Sequence, residues 1–345
     1  MRKSTIVLVV ILIIIILVAG GVLGYKIYMD KQKPTDLGTE VIGEEEEPKV
    51  EEKKVQIYQG TDRPIAVMID NHKGALPQAG LNDAYMVYEI IVEGGESRLM
   101  ALFKGANLEK IGPIRSSRHY FLDYALENDA IYVHYGWSPQ AQSDISSLKV
   151  NNINGIYESS TSFWRVKDKR APHNAVTSTE KIKALAEKKG YRTTSTETSV
   201  LKYTTDEVDL EEGVTANTIN IPYSESNNVK YTYDETTKRY QRYSKGVEEK
   251  DWTTDEAVTT KNIIITFARN TVLNDGENKD RQNLYNIDTL KGYYITNGKA
   301  IGITCEKTSR SGKTVYKDTS GKEINVNDGN TYVQICPINA NVTIE

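Results

Sequence analysis

Residues 6–23 of this 345-residue chain are an uncharged apolar run, IVLVVILIIIILVAGGVL, separated from Met1-Arg2-Lys3 by Ser4-Thr5. At about 20 residues such a run is long enough to cross a bilayer as a helix. A secretory signal peptide has a shorter apolar core, though Ala19-Gly20-Gly21 offers a cleavage point. No cysteine occurs in the first 300 residues, which excludes a lipid-modified cysteine as the anchor. Lys26, Lys31 and Lys33 follow the run and compete with Arg2 and Lys3 in setting topology. The expectation is a signal anchor over 1–24 with a short cytoplasmic tail. The bulk of the chain then lies outside the cell, since a long folded domain translocates largely regardless of its own charge.

Residues 25–58 carry charge blocks, two prolines and little apolar content, as in KPTDLGTEVIGEEEEPKVEEKK, and are expected to be a disordered acidic linker. The remaining chain is long enough for two domains. A net charge of −4 and a pI near 5.8 give no footprint of a nucleic-acid binder. Between 59 and 195, strand patterns such as RPIAVMID and helix patterns such as SPQAQSDISSL alternate, which reads as a mixed-sheet α/β domain. Ser138 and Pro139 mark one helix start, and Ser178-Thr179 caps a second that ends at Gly190. From 196 to 345 short strand candidates follow one another between turn pairs such as Lys245-Gly246 and Asn297-Gly298, and no helix pattern appears. The fold class is therefore α+β: anchor, mixed-sheet domain, then a β-rich domain. Cys305 and Cys336 both sit in strand-like runs, where a cross-strand disulfide and two buried thiols are equally open.

Chemistry-bearing residues concentrate in the first domain. GPIRSSRHYFLDYA places Arg115, Arg118 and His119 at or just before an expected helix start at Ser117. Cations are unfavourable at that end of a helix dipole, so the cluster calls for an anion, either a carboxylate of the chain or a ligand. The acidic tip of the hairpin expected over 85–103, with Glu93 and Glu96, is the internal competitor. The four histidines, His72, His119, His134 and His173, all fall at ends of elements, where sites on one side of a sheet are built. A shared cleft is expected to join them with Asp70, Asn71, Glu89, Glu93, Arg98, Arg115 and Arg118. A second basic and aromatic segment, FWRVKDKRAPHN, adds Trp164, Arg165, Arg170, His173 and Asn174, a composition suited to sugars or anionic polymers.

No HxH, HExxH or CxxC spacing is present, so neither a metal nor any other cofactor is expected. Ser116 and Ser117 lack a GxSxG context and read as capping residues. The leading expectation is binding of an anionic or carbohydrate cell-envelope component, or of an envelope partner protein. The rival is a hydrolase of peptidoglycan or a phosphodiester polymer, with Asp70, Glu89 or Glu93 and the histidines as acid, base or ligands.

The segments PIAVMIDNH, GLNDAYMVYEIIVEGGESRLMALF, EKIGPIRSSRHYFLDYA, DAIYVHYGWSPQA and FWRVKDKRAPHN strongly resemble the YerB-like, or DUF3048, family of bacterial extracytoplasmic proteins. TNGKAIGITCEK and GKEINVNDGNTYVQICP resemble that family's C-terminal domain more loosely. The resemblance implies two extracytoplasmic domains, usually on a lipoprotein of a Gram-positive bacterium. This chain departs by lacking the lipid-bearing cysteine. The family carries no catalytic residue across.

Overall fold

The computed structural model describes residues 3–31 and 53–345; the linker expectation for 32–52 lies outside the described residues. Residues 3–31 and 53–345 belong to two separate units. In the first, helix α1 runs Lys3–Lys31. Over the residues whose side chains are described, which begin at Ile16, no helix is long and apolar enough to cross a membrane; the apolar run starts before them.

The second unit is built on one large mixed sheet. Strand β1 (Ile65–Asp70) is buried along its whole length, so its residues serve two cores in alternation. Val67 and Ile69 face one apolar cluster, and Ala66 and Met68 face the other. Strand β2 (Met86–Ile91) turns through a short 3₁₀ segment at Glu93–Gly95 into β3 (Ser97–Phe103), the expected hairpin. Beyond β1 the sheet continues with β4 (Ile131–His134) and β5 (Asn152–Asn154), and β1, β4 and β5 run parallel.

On the other side β2 pairs in parallel with Thr331–Pro337, which carries the sheet on through Asn262–Val272, Thr289–Thr296, Lys299–Glu306 and Val315–Asp318. The halves on either side of residue 195 thus differ in content as expected, yet share a single sheet. A second antiparallel sheet, with Thr218–Ser224, Asn227–Asp234 and Arg239–Ser244 at its centre, covers one face through Ile219, Ile221, Tyr231 and Tyr240. Helices α2 (Phe121–Glu127) and α3 (Pro139–Ser147) lie on the opposite face, contributing Phe121, Tyr124 and Ile145.

Local chemistry sets the helix starts. The Ser138 hydroxyl accepts from the Ala141 N–H with Pro139 in the first turn, and Ser178 does the same for Lys181 at the start of α4 (Thr179–Lys188). Gly190 follows α4 at φ +69°, a left-handed stop that favours glycine. A short hairpin of β6 (Trp164–Arg165) and β7 (Ala175–Val176) closes the basic loop.

Two expectations need correction, and the question left open for the cysteines closes. The linker does not extend to residue 58, because the backbone N–H groups of Gln56 and Ile57 donate to the Asp328 carboxylate and Tyr58 packs edge-on against Tyr85. The helix expected from Ser117 begins only at Phe121. The cysteines do not pair. Cys305 and Cys336 are free, lie three strand steps apart in the sheet (roughly 14 Å) and belong to opposite cores. A disulfide tolerates a Cα separation of at most about 7 Å.

Candidate functional site

Asp70 ends β1 on the same sheet edge as His134, which ends β4. The carboxyl ends of parallel strands are where open sheets gather ligand sites. Gly112 to Ser116 runs beside that edge in extended form. Asp70 N–H donates to the Pro113 carbonyl at 2.8 Å, Arg115 N–H to that of Met68 at 2.9 Å, and Tyr135 N–H to that of Arg115 at 3.0 Å. This wedge between the ends of β1 and β4 puts Arg115 beside Asp70. Arg115 is therefore held by strand-like pairing ahead of the helix, while the Arg118 carbonyl accepts from Phe121 N–H in the turn that opens α2.

The three arginines divide into two groups. Arg118 is buried and donates through Nε to Glu93 Oε2 at 2.8 Å and through Nη2 to Glu93 Oε1. Arg98, also buried, donates to Glu93 Oε1 at 2.9 Å and to the Ser116 carbonyl at 2.6 Å. Burial alone would raise the Glu93 carboxyl. The hydrogen bond from Arg118 and the charge of Arg98 overcome it and hold the group at about 2. Burial, with the Arg118 charge, lowers Arg98 to about 10. This trio is an internal staple of the hairpin tip, and its arginines are committed.

Arg115 differs. Its side chain is 26% exposed, and among the described residues its only side-chain polar partner is Asp70 Oδ2, 3.4 Å from Nε. The same Asp70 oxygen accepts from His173 Nδ1 at 2.7 Å. The other oxygen accepts from His72 N–H at 3.1 Å. The His72 ring stacks on that of His173 with centroids 4.2 Å apart and planes 10° from parallel. His72 Nδ1 accepts from Gly74 N–H, and burial together with neighbouring His173 lowers its pKa. Arg98, Arg115 and Arg118 set three cations against the carboxylates of Asp70 and Glu93, so one positive charge is in excess.

The other sequence candidates are placed as follows. Glu89 is removed from solvent altogether. It pairs with the fully buried Arg242 at 3.0 Å, and Arg242 also pairs with Glu249 at 2.5 Å. Asn71 is buried and donates to Glu89 Oε1 at 3.1 Å. Glu89 and Asn71 thus bind the two sheets to each other and do not face a ligand. His134 is also fully buried, with its ring between the Gly136 carbonyl and Asn152; burial lowers its pKa to about 4. His119 faces a different cleft of about 470 Å³, where Asn283 Oδ1 meets Nε2 at 3.0 Å and Arg310 bridges Asp123 and Asp144.

Trp164 is half-buried, and Phe163 beside it is the loop's buried apolar anchor. Arg165 stacks over Tyr135 at 5.2 Å and donates to Asn174 Oδ1 at 2.6 Å. Buried Asn174 donates to the Val166 and Lys169 carbonyls, which shapes the turn that carries His173. The Arg170 side chain is exposed. Sequence reasoning missed Lys245, which reaches from the β-rich half to Glu96 at 2.5 Å and the Asn71 carbonyl at 2.6 Å. Its only sequence signal was a turn at Lys245-Gly246. No cluster of three metal-ligating side chains exists among the described residues.

The fold and site define an α+β protein with an Asp–His–Arg cluster at a sheet edge, and the chain belongs to the DUF3048, or YerB-like, family. The family's domains, described as "Protein of unknown function (DUF3048) N-terminal domain" and its C-terminal counterpart, match residues 51–192 and 219–333. "Putative lipoprotein YerB" of Bacillus subtilis (strain 168) is 33% identical over 270 residues, covering 77% of this chain and 76% of that protein. The crystal structure of YerB protein from Bacillus subtilis superposes with a TM-score of 0.73 at 31% identity, covering 82% of this chain and 94% of that one.

Proposed function

We propose that this chain is a membrane-tethered extracytoplasmic protein that binds an anionic component of the cell envelope at Arg115. The observation that carries the reading is the contrast between its arginines. Arg98 and Arg118 are saturated by Glu93, while the half-exposed Arg115 makes a single 3.4 Å approach to Asp70. A guanidinium presents a planar fork of donors matched to phosphate or carboxylate oxygens, and here its terminal nitrogens have no partner among the described residues.

The tether is α1. Its 29 residues extend about 43 Å at ~1.5 Å each, more than the ~30 Å hydrocarbon core. In this reading the helix does what a lipid would do for the Bacillus subtilis relative, whose name is that of a lipoprotein. Alkaline carbonate extraction tests the tether, with the chain expected to stay in the membrane fraction and a 32–345 variant expected in the supernatant. Co-sedimentation with poly(glycerol phosphate)-bearing walls tests the ligand. The wild type is expected to bind, binding is expected to fall with salt, and Arg115→Gln is expected to abolish it. Equal binding by a folded Arg115→Gln variant would sink the reading.

A further inference from the structure

The next inference rests on that anion-binding reading and concerns the fate of an anion held at Arg115. One buried oxygen, Asp70 Oδ2, orients two side chains at once: it accepts from His173 Nδ1 at 2.7 Å and stands 3.4 Å from Arg115 Nε. Because an ionised carboxylate only accepts, the proton of the neutral imidazole sits on Nδ1, and Nε2 carries the lone pair. Nε2 of His173 has no partner among the described residues, and the ring is 16% exposed. The stacked His72 ring covers one face of the imidazole, and the bond to Asp70 fixes its Nδ1 edge. Asp70 itself, 4% exposed, is placed to orient the imidazole more than to meet a substrate.

We propose that His173 is a general base that activates a water molecule against a phosphate diester gripped by Arg115. Arg115 and the imidazole share one carboxylate oxygen, and Nε2, on the ring edge away from that oxygen, is the atom left open to a water beside an anion held by Arg115. A carboxylate in that place has no leaving group, whereas a phosphate diester has one. The single excess positive charge of the cluster matches the single negative charge of a diester. Ser116 is not the nucleophile, because its hydroxyl donates to the Tyr135 carbonyl at 3.0 Å.

In the step, the water oxygen forms a bond to phosphorus while its proton passes to Nε2. The ester P–O bond on the opposite side breaks, and the departing alkoxide takes a proton from solvent. The products are an alcohol and a phosphate monoester, and the imidazolium returns its proton to bulk water. No oxidation or reduction occurs.

The test uses the full chain in detergent micelles, with a metal chelator present and bis(4-nitrophenyl) phosphate as the probe. Release of 4-nitrophenolate is expected from the wild type, and a loss of at least about a hundredfold from His173→Gln, the scale of a general base. His173→Asn is the second variant, because its amide can still donate to Asp70; circular dichroism and melting temperature identify the folded variants. Calorimetric titration with dimethyl phosphate separates binding from chemistry: His173→Gln is expected to keep binding, and Arg115→Gln to lose both. Wild-type binding without turnover overturns the catalytic role and leaves the anion site standing. Absence of both overturns the two readings together. Turnover that survives in both His173 variants, or that requires the metal removed by the chelator, also overturns the assignment.

Discussion

Arg118 and Arg115 lie three residues apart in one basic stretch, yet the structure assigns them opposite consequences on removal. Arg118→Ala leaves the Glu93 carboxylate without its two-point partner next to buried Arg98. Glu93 falls from its ordinary 4.5 to about 2 in the folded chain. At roughly 1.4 kcal/mol per unit, that shift amounts to about 3 kcal/mol of stability, shared between Arg118 and the remaining Arg98, with the two-point Arg118 contact carrying the larger part. Arg115→Ala removes a single 3.4 Å approach and leaves buried Asp70 its bonds from His173 and the His72 N–H, so its cost should be smaller, about 1 kcal/mol.

Urea unfolding at pH 7, followed by tryptophan fluorescence, should therefore show a large drop in midpoint for Arg118→Ala and a much smaller one for Arg115→Ala. The pH dependence gives a second handle. The Glu93 pKa is depressed, so the unfolded state takes up the proton first. Its stabilisation is complete above about 4.5 and is lost as pH falls toward 2. Glu93→Gln should flatten that acid slope. Equal midpoint losses for the two arginine variants, or an unchanged slope in Glu93→Gln, would refute the division into staple and site.

Other outcomes follow from the buried groups. His134 is held neutral with a pKa near 4 against an ordinary 6.5. Stability should therefore decline as pH drops below 6.5, by about 2 kcal/mol at pH 5, and His134→Gln should remove that decline. Arg242→Met strands Glu89 and Glu249 and should cost ~3–5 kcal/mol in urea titration, while replacing Glu89, Arg242 and Glu249 together by apolar residues should be far milder than Arg242→Met. Both cysteines are buried, and burial pushes the Cys305 thiol up to about 12. Neither should react with a thiol reagent until the chain unfolds, and reductant should leave the melting temperature unchanged.

Legibility in the sequence followed the range of the interactions. Ser138-Pro139 and Ser178 reveal helix starts because a cap needs only the next three residues. RPIAVMID reads as a buried strand because its composition already excludes solvent on either face. The joining of the two halves was not legible, since β2 finds its parallel partner in Thr331–Pro337, far along the chain, and nothing local announces the pairing. For the same reason Glu89 looked available as an acid until Arg242, from the other sheet, was seen to cover it.

Arg118 and Glu93 were legible as competing partners through their proximity to a hairpin tip. The extended path of Gly112 to Ser116 was not, because apolar residues at helical spacing from Tyr120 onward masked where the helix begins. Asp70 and His173 were each visible as ends of elements, but the hydrogen bond between them depends on a loop folded back over the edge of the sheet.

The central claim is an anion site at Arg115, and its most direct measurement is a calorimetric titration of the full chain with dimethyl phosphate at low salt. Binding is expected for the wild type, weakening as salt is raised, and none is expected for Arg115→Gln at an unchanged melting temperature. Binding that persists in Arg115→Gln, or none in the wild type, would contradict it.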